Sequence, residues 1–140
     1  MNICKSSEDY LEMMLMLRNK KGYVRSVDIA DALGVTKPSV SYAVKRLREN
    51  GYISMNEDGF ILLNESGLEI AQRIYERHQT LTAMLMSLGV DEQTACDDAC
   101  EVEHCISQAT FDAIKKYVAL HPVDHDCTAC DQSAGCVKKE

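Results

Sequence analysis

Turn and capping residues divide the stretch between residues 26 and 51 into two short segments of fixed order. Ser26 begins an apolar segment that ends at Gly34, and Thr36-Lys37-Pro38 begins a longer one that ends at Gly51. Threonine caps helix N-termini, proline is tolerated in the first helical turn, and glycine adopts the left-handed conformation that ends helices. The pattern predicts a short helix, a tight turn and a longer helix.

Two apolar runs follow the longer helix. Residues 52–55 and 60–63 flank Asn56-Glu57-Asp58-Gly59, a sequence typical of a β-hairpin turn. Two helices joined by a tight turn and followed by a hairpin form a winged helix-turn-helix, which is a DNA-binding fold. We therefore predict that double-stranded DNA is a partner of this chain.

Charge is distributed unevenly along the chain. The net charge of −7 would disfavour nucleic acid if it were spread evenly, but residues 36–48 contain four basic residues and no acidic one. The helix over 37–50 has one apolar side, and its other side carries hydroxyl, aromatic and basic groups that suit bases and phosphates. The predicted DNA contacts are Lys37, Ser39, Ser41, Tyr42, Lys45 and Arg46.

The rest of the chain has helical periodicity. Capping residues predict one helix before this region and three after it. The expected starts are Ser7 for a helix over 7–20, the Ser66-Gly67-Leu68-Glu69 capping box for a helix reaching Leu88, Asp91, and Ser107 for a helix reaching Leu120. We predict a mainly α fold, with a winged helix-turn-helix domain over 1–64, an all-helical domain over 65–122 and a cysteine-rich tail over 123–140.

The helix expected after Asp91 carries an unusual set of side chains. It contains the sequence Cys96-Asp97-Asp98-Ala99-Cys100-Glu101-Val102-Glu103-His104-Cys105. A helix turns by about 100° per residue, so Cys100, Glu103 and His104 share one face, and Cys96 lies one turn earlier. A thiol, a carboxylate and an imidazole together are ligands for a divalent transition metal. The alternative is a solvated face with two buried cysteines.

A complete coordination sphere needs ligands from a second element. His78 on the long helix is one candidate, although a lone histidine is more often a surface or core residue. Asp9 and Glu12 on the first helix form a carboxylate pair spaced three residues apart, which is more often solvated.

Seven cysteines constrain the compartment and the chemistry. Their number is odd, the N-terminus lacks the apolar run of a signal peptide, and no stretch is apolar enough to span a membrane. We therefore expect a cytoplasmic protein with no membrane partner, in which thiols serve metal or redox chemistry rather than a disulfide framework.

Near the C-terminus, His125, Cys127, Cys130 and Cys136 form a pattern that suits Zn²⁺ or an iron–sulfur cluster. A disordered thiol-rich tail and a redox pair are the alternatives.

Taken together, these residues resemble the diphtheria-toxin-repressor family of metal-dependent transcriptional regulators, particularly its short manganese-regulator branch. The resemblance covers about residues 6–120. It rests on Glu8-Asp9-Tyr10-Leu11-Glu12, Asp28-Ile29-Ala30, Gly34-Val35, Ser39-Val40, Leu63 through Gly67, Arg77-His78 and Cys100-Glu101-Val102-Glu103-His104. It implies a homodimer that binds palindromic operators when it is charged with Fe²⁺ or Mn²⁺. No nucleophile or substrate-pocket motif is present, so we expect neither an enzyme nor a small-molecule substrate.

The resemblance also implies a ligand set. The positions that match ligands of the manganese branch are Asp9, Glu12, His78, Glu103 and His104. Cys100 departs from that branch, which has a carboxylate there, and matches the cysteine of the iron branch, which has methionine in place of Asp9. Cys96 falls where the iron branch has a histidine in its second site, and Thr82 falls where that site has a glutamate.

Ligand chemistry favours Fe²⁺ for such a mixed set, with Mn²⁺ next. Mn²⁺ prefers oxygen ligands, whereas Fe²⁺ accepts oxygen, nitrogen and sulfur together. Zn²⁺ binds more tightly than either, so geometry and availability must provide the selectivity.

A rival function is a thiol-based redox or zinc sensor on the same scaffold. The apolar residues Met84, Leu85, Leu88, Ile114 and Val118 are candidates for the dimer interface or for the core of one subunit.

Overall fold

The computed structural model describes residues 3–123. These residues form six helices and one two-stranded hairpin, which are α1 (Lys5–Lys21), α2 (Ser26–Leu33), α3 (Lys37–Glu49), β1 (Ile53–Met55), β2 (Ile61–Leu63), α4 (Glu65–Ser87), α5 (Glu92–Val102) and α6 (Gln108–Leu120). No helix within residues 3–123 combines the length and the apolar character that a membrane span requires. The order of elements confirms the predicted mainly α fold with a winged helix-turn-helix.

The chain divides into two compact units, Met1–Arg73 and Ile74–Glu140, called here the first and second units. Every helix that lies wholly in the first unit contributes to its core, through Leu11 on α1, Ile29 on α2 and Val40 on α3, and each of these residues is 0% exposed. The hairpin adds Ile53, which pairs with Leu63 on β2. Because α3 packs one side into this core, its opposite side faces solvent.

Most of the predicted helix ends are confirmed. The side chains of Thr36, Asp91 and Ser107 each accept a hydrogen bond from the backbone N–H three residues later, at 3.1–3.3 Å. Gly34, the predicted end of α2, adopts the φ of 62° of a left-handed C-cap, and Gly22 with a φ of 84° ends α1 in the same way after Lys21, one residue beyond the predicted Lys20. These signals act over a few residues, so the sequence alone is sufficient to place them.

Two helices begin earlier than predicted. α1 begins at Lys5, so Ser7 lies inside its first turn instead of capping it. α4 begins at Glu65, and the Ser66 hydroxyl donates a hydrogen bond to the Gly51 carbonyl at 3.3 Å rather than capping the helix. Both serines satisfy the local capping rule, but in each case the chain becomes helical before it reaches them.

Gly67 allows the first turn of α4 to approach the residue that precedes β1. A Cβ atom at this position would lie 2.2 Å from the carbonyl oxygen of Tyr52. The backbone N–H of Asn64 donates a hydrogen bond to the same oxygen at 3.0 Å. A residue without a side chain is therefore required where α4 begins.

The second unit contains the later part of α4 together with α5 and α6. Its core includes Ile74 and Leu81 on α4, Ala95 and Ala99 on α5 and Phe111 on α6, all of them 3% exposed or less. This packing buries the polar side chains of the candidate metal centre.

Candidate metal centre and DNA-reading helix

A buried carboxylate lies between two imidazoles in the second unit. Glu103 Oε2 is 2.9 Å from Nδ1 of His78, and Glu103 Oε1 is 3.3 Å from Nε2 of His104. His78 is 2% exposed and Glu103 is 0% exposed. The structure therefore brings together three of the residues predicted as ligands, from α4 and from the turn after α5.

Two sulfur atoms flank the same histidine ring. Cys100 Sγ is 3.6 Å from Nδ1 of His78, and Cys96 Sγ is 3.4 Å from Nε2. Both cysteines are buried, with exposures of 6% and 0% respectively. Cys100 carries a reduced thiol, whereas Cys96 is disulfide-bonded. Only a reduced sulfur can act as a thiolate ligand.

The end of α5 corrects one step of the sequence prediction. The helix was expected to carry the whole stripe from Cys96 to His104, but it ends at Val102. Glu103 is its C-cap residue and keeps helical angles of φ −57° and ψ −25°, so its side chain continues the stripe of Cys100. His104 lies in the turn that follows.

The surroundings of Glu103 favour its ionised form. Burial raises the pKa of the carboxyl group, but close polar contacts with the His104 and His78 imidazoles and electrostatic attraction to both rings together outweigh burial and hold the pKa below its ordinary value. The site therefore offers an anionic oxygen, imidazole nitrogens and a thiol within one buried cluster. Such a cluster can compensate the charge of a divalent cation.

Thr82 contributes no anionic ligand to this cluster. Its hydroxyl donates a hydrogen bond to the backbone carbonyl of His78 at 2.8 Å, and the residue is 0% exposed. The position where the iron branch has a glutamate is thus occupied by a group bonded to its own helix.

Arg77 directly precedes His78 in the sequence and occupies a specific place in the second unit. Its side chain is buried and donates hydrogen bonds to the turn that contains Glu103. The signal in the sequence is weak: a basic residue directly before a histidine that is itself a candidate ligand.

Asp9 and Glu12 lie on α1 in the first unit. Glu12 is 2% exposed, so the interpretation of a solvated carboxylate pair does not describe it, and Asp9 is partly buried. Their part in the metal centre stays a prediction drawn from the resemblance. The second metal or cluster site predicted at His125, Cys127, Cys130 and Cys136 lies outside the described residues.

α3 presents the side chains predicted to contact DNA. Its buried face consists of Val40, Val44 and Leu47, which are 6% exposed or less. The guanidinium of Arg46 lies 5.8 Å from the ring centroid of Tyr42, which is 64% exposed. All six predicted contacts are exposed: Lys37, Ser39, Ser41, Tyr42, Lys45 and Arg46.

Family models match both parts of the chain. Residues 2–59 match the iron dependent repressor N-terminal DNA binding domain. Residues 64–127 match the iron dependent repressor metal binding and dimerisation domain. The two matches follow the order of the winged helix-turn-helix and the helical region.

Relatives of known identity agree with these models. The chain is 38% identical over 114 residues to the transcriptional regulator MntR of Salmonella typhimurium, covering 81% of this chain and 73% of that protein. It is 37% identical over 119 residues to the HTH-type transcriptional regulator MntR of Bacillus subtilis, covering 85% and 84%.

Solved structures show the same fold. T. acidophilum IdeR superposes with a TM-score of 0.71 at 25% identity, over 89% of this chain and 57% of that one. The manganese regulator SloR superposes with a TM-score of 0.72 at 24% identity, over 81% and 53%. This chain spans little more than half the length of these two proteins. With the family models and the MntR relatives, these findings place the chain in the diphtheria-toxin-repressor family of metal-dependent DNA-binding transcriptional regulators, on its manganese-regulator-like branch and not among enzymes.

Proposed function

We propose that this protein is a homodimeric repressor that binds palindromic operators of metal-homeostasis genes when the second unit holds a divalent metal ion. The observation that carries this proposal is the Glu103 carboxylate, buried between His78 and His104 with the Cys100 thiol beside the same ring. A buried anion with two imidazoles and a thiol is a ligand set, and packing alone does not require it.

The donor atoms fit a first-row transition metal. Oxygen, nitrogen and sulfur together suit Fe²⁺ better than Mn²⁺, which gains little from a thiolate. A bound cation would supply the positive charge that holds the carboxylate and the thiolate together. Cys96 can join this set only after its disulfide is reduced. Fe²⁺ is therefore the proposed ion, and Mn²⁺ is the alternative that the MntR relatives suggest.

The DNA-binding part of the proposal depends on α1 and α3. Asp9 and Glu12 would add carboxylate ligands from α1, which belongs to the same unit as α3. Their ligation would restrain the first unit, and with it the spacing of the two α3 helices in a homodimer. Half-sites about 34 Å apart could then be bound together.

The second unit offers an apolar surface for the homodimer. An open groove of about 420 Å³ is lined by Met84 and Leu88 on α4 and by Ile114 and Tyr117 on α6, among other residues. Leu88 is 64% exposed and forms part of this continuous apolar lining, and contiguous exposed apolar surface is typical of protein interaction sites. Met84, Leu88 and Ile114 are among the residues expected at a dimer interface.

The proposal is tested by anaerobic DNA binding. Operator DNA is first selected from random sequences with the metal-loaded protein, and its affinity is then measured with Fe²⁺, with Mn²⁺ and without metal. We expect binding only with metal, and a stronger response to Fe²⁺ in the wild type than in Cys100→Ala. Cys100→Glu, which introduces the carboxylate of the manganese branch, should shift the response toward Mn²⁺.

Two results would contradict these statements separately. An equal response of wild type and Cys100→Ala to Fe²⁺ would exclude Cys100 as a ligand but leave the repressor intact. Equal operator affinity with and without metal would exclude the metal-dependent function itself.

A thiol-based redox sensor is the second candidate, because Cys96 is disulfide-bonded and its sulfur lies 3.4 Å from His78 Nε2. In that case the oxidation state of the cysteines, rather than metal occupancy, would set operator affinity. Operator binding that a strong reductant alone maintains, with metal removed by a chelator, supports the sensor.

A further inference from the structure

Arg77 connects α4 to the turn between α5 and α6. It directly precedes His78 and is 8% exposed. Its Nη1 donates hydrogen bonds to the backbone carbonyls of Glu103 at 3.3 Å and Ile106 at 2.9 Å. Its Nη2 donates to the Gln108 side-chain oxygen at 3.1 Å. One side chain on α4 therefore holds both ends of this turn.

The contacts of Arg77 leave the ligand atoms of Glu103 available. Within residues 3–123 its hydrogen-bond acceptors are two backbone carbonyls and an amide, all of them neutral. The guanidinium holds Glu103 by its backbone, while both carboxylate oxygens face the imidazoles of His78 and His104. An arginine that paired with the carboxylate would instead compete with those imidazoles and with a cation.

The shape of the arginine side chain matters for these contacts. The guanidinium lies 5.2 Å from the ring centroid of Phe111 on α6, so it is held on one face while its edge donates to the turn. A planar fork of donors can reach several acceptors at once. A lysine ammonium is a single point from which donors radiate, and it does not stack in the same way.

We propose that Arg77 is a positioning residue of the metal centre. By fixing the turn against α4, it sets the positions of Glu103 and His104 relative to His78 and so prepares the ligand set. This inference deepens the proposed function and rests on it. Residues that orient metal ligands commonly change metal affinity by about 10- to 100-fold when they are replaced.

The test uses Co²⁺ as a spectroscopic probe in the full-length protein under anaerobic, reducing conditions. The variants are Arg77→Lys and Arg77→Ala. The matched control is Lys115→Ala, because Lys115 on α6 also forms an ion pair with α4, through Glu76, but is exposed and is not bonded to the turn. Each protein is titrated with Co²⁺ by absorption, and backbone hydrogen exchange of residues 103–106 is measured in the metal-free state.

We expect both Arg77 variants to bind Co²⁺ at least about 10-fold more weakly, with an altered ligand-field spectrum and faster exchange in the turn. Lys115→Ala should match the wild type in all three measurements. If Arg77→Ala does not fold, Arg77→Lys, which keeps the charge and the apolar stem, decides the question.

Three results would overturn the inference. One is a wild-type Co²⁺ spectrum and affinity in Arg77→Lys, and another is an equal change in Lys115→Ala. The third is weaker binding with an unchanged spectrum, since that indicates general destabilisation rather than misplaced ligands. Absence of saturable Co²⁺ binding in the wild type would instead contradict the proposed function.

Discussion

α3 and the cluster around His78 present functional side chains in opposite ways. The residues predicted to contact DNA lie within one helix and are exposed, as shown by the 76% exposure of the Lys45 side chain. His78 and Glu103 are separated by 25 residues and are 2% and 0% exposed. The first set is in place once a helix forms, whereas the second exists only after α5 packs against α4. A surface function thus follows from local sequence, and a buried one depends on packing and charge compensation.

Replacing the carboxylate of the buried cluster should produce the largest effect. Glu103→Gln removes the anion that both imidazoles contact, so we expect metal affinity to fall by about 100-fold or more, equivalent to about 2.7 kcal/mol. Competition with a metal-sensitive dye measures this change. Weak binding to non-operator DNA should persist, because it depends on the exposed cations of α3.

Glu101→Gln is the matched control for this substitution. Glu101 lies two residues earlier on α5 and is exposed, so its variant should bind metal as the wild type does. If Glu103→Gln retained wild-type metal affinity, the buried cluster would serve only to stabilise the fold, and Glu103 would be excluded as a metal ligand.

Gly67 tests whether the first unit also depends on a contact between distant residues. In Gly67→Ala the new Cβ would lie 2.2 Å from the Tyr52 carbonyl, so the start of α4 must shift. We expect a loss of about 1–3 kcal/mol in the free energy of unfolding, measured by urea denaturation of the metal-free protein.

Ser66→Ala is a useful comparison, since it removes one hydrogen bond to Gly51 and adds no atom to the close approach. Its loss should be about 1 kcal/mol at most. Equal stability of both variants would show that the backbone near Tyr52 relaxes freely, and that only the second unit depends on a precise approach of distant residues.

The same contrast explains which parts of the fold could be predicted. The caps at Thr36, Asp91 and Ser107 and the buried face of α3 depend on neighbouring residues, and all were predicted correctly. The start of α4 was misplaced because the capping-box pattern at Ser66 is satisfied in sequence, while in the structure its hydroxyl bonds to Gly51 across the chain. The sequence around Ser66 contains no information on the Gly51 carbonyl, which lies 15 residues away and accepts its hydrogen bond.

The metal centre was predictable only in part. Helical periodicity grouped Cys100 with Glu103, and the C-cap geometry keeps that relation although α5 ends before Glu103. His78 was only a weak candidate from the residues alone, and the resemblance matched it to a ligand position. The contacts of Arg77 involve residues 26 to 31 positions away, and nothing in the spacing of the sequence indicates them.

Removing one exposed cation from α3 should have a smaller effect on function than Glu103→Gln has on metal affinity, and a smaller effect on stability than Gly67→Ala. Arg46→Ala or Lys45→Ala should weaken operator binding several-fold and reduce the dependence of log affinity on log salt by about one unit, as expected for one lost phosphate contact. Fluorescence anisotropy at a series of salt concentrations measures both quantities. Metal affinity should not change.

Lys116→Ala is the control for these variants, since Lys116 is exposed on α6 in the second unit. It removes the same charge from the protein without altering α3. An equal salt dependence in Lys116→Ala and Arg46→Ala would mean that net charge, and not the surface of α3, determines DNA binding.

The smallest expected effect is at Asp91. This exposed residue caps the N-terminus of α5, the helix that also carries the buried Cys96 and Cys100. A hydrogen bond from the Thr94 backbone N–H, joined by one from its hydroxyl, lowers the pKa of the Asp91 carboxyl below its ordinary value. A carboxyl group with a lower pKa in the folded state stabilises the protein above its unfolded pKa. This stabilisation is lost as the pH falls through the folded-state value, in a range beginning near pH 4.

Asp91→Asn retains a side chain that can cap α5 but does not titrate, so its melting temperature should fall less than that of the wild type between pH 6 and pH 3. Ser107→Ala removes a cap that carries no charge and should lower the melting temperature by a similar amount at both pH values. Neither change reaches the side chains around His78, so metal affinity at pH 7 should be that of the wild type. If Asp91→Asn weakened metal binding, the start of α5 and the buried cluster would form one cooperative element. Of α3 and α5, only α3 would then depend on neighbouring residues alone.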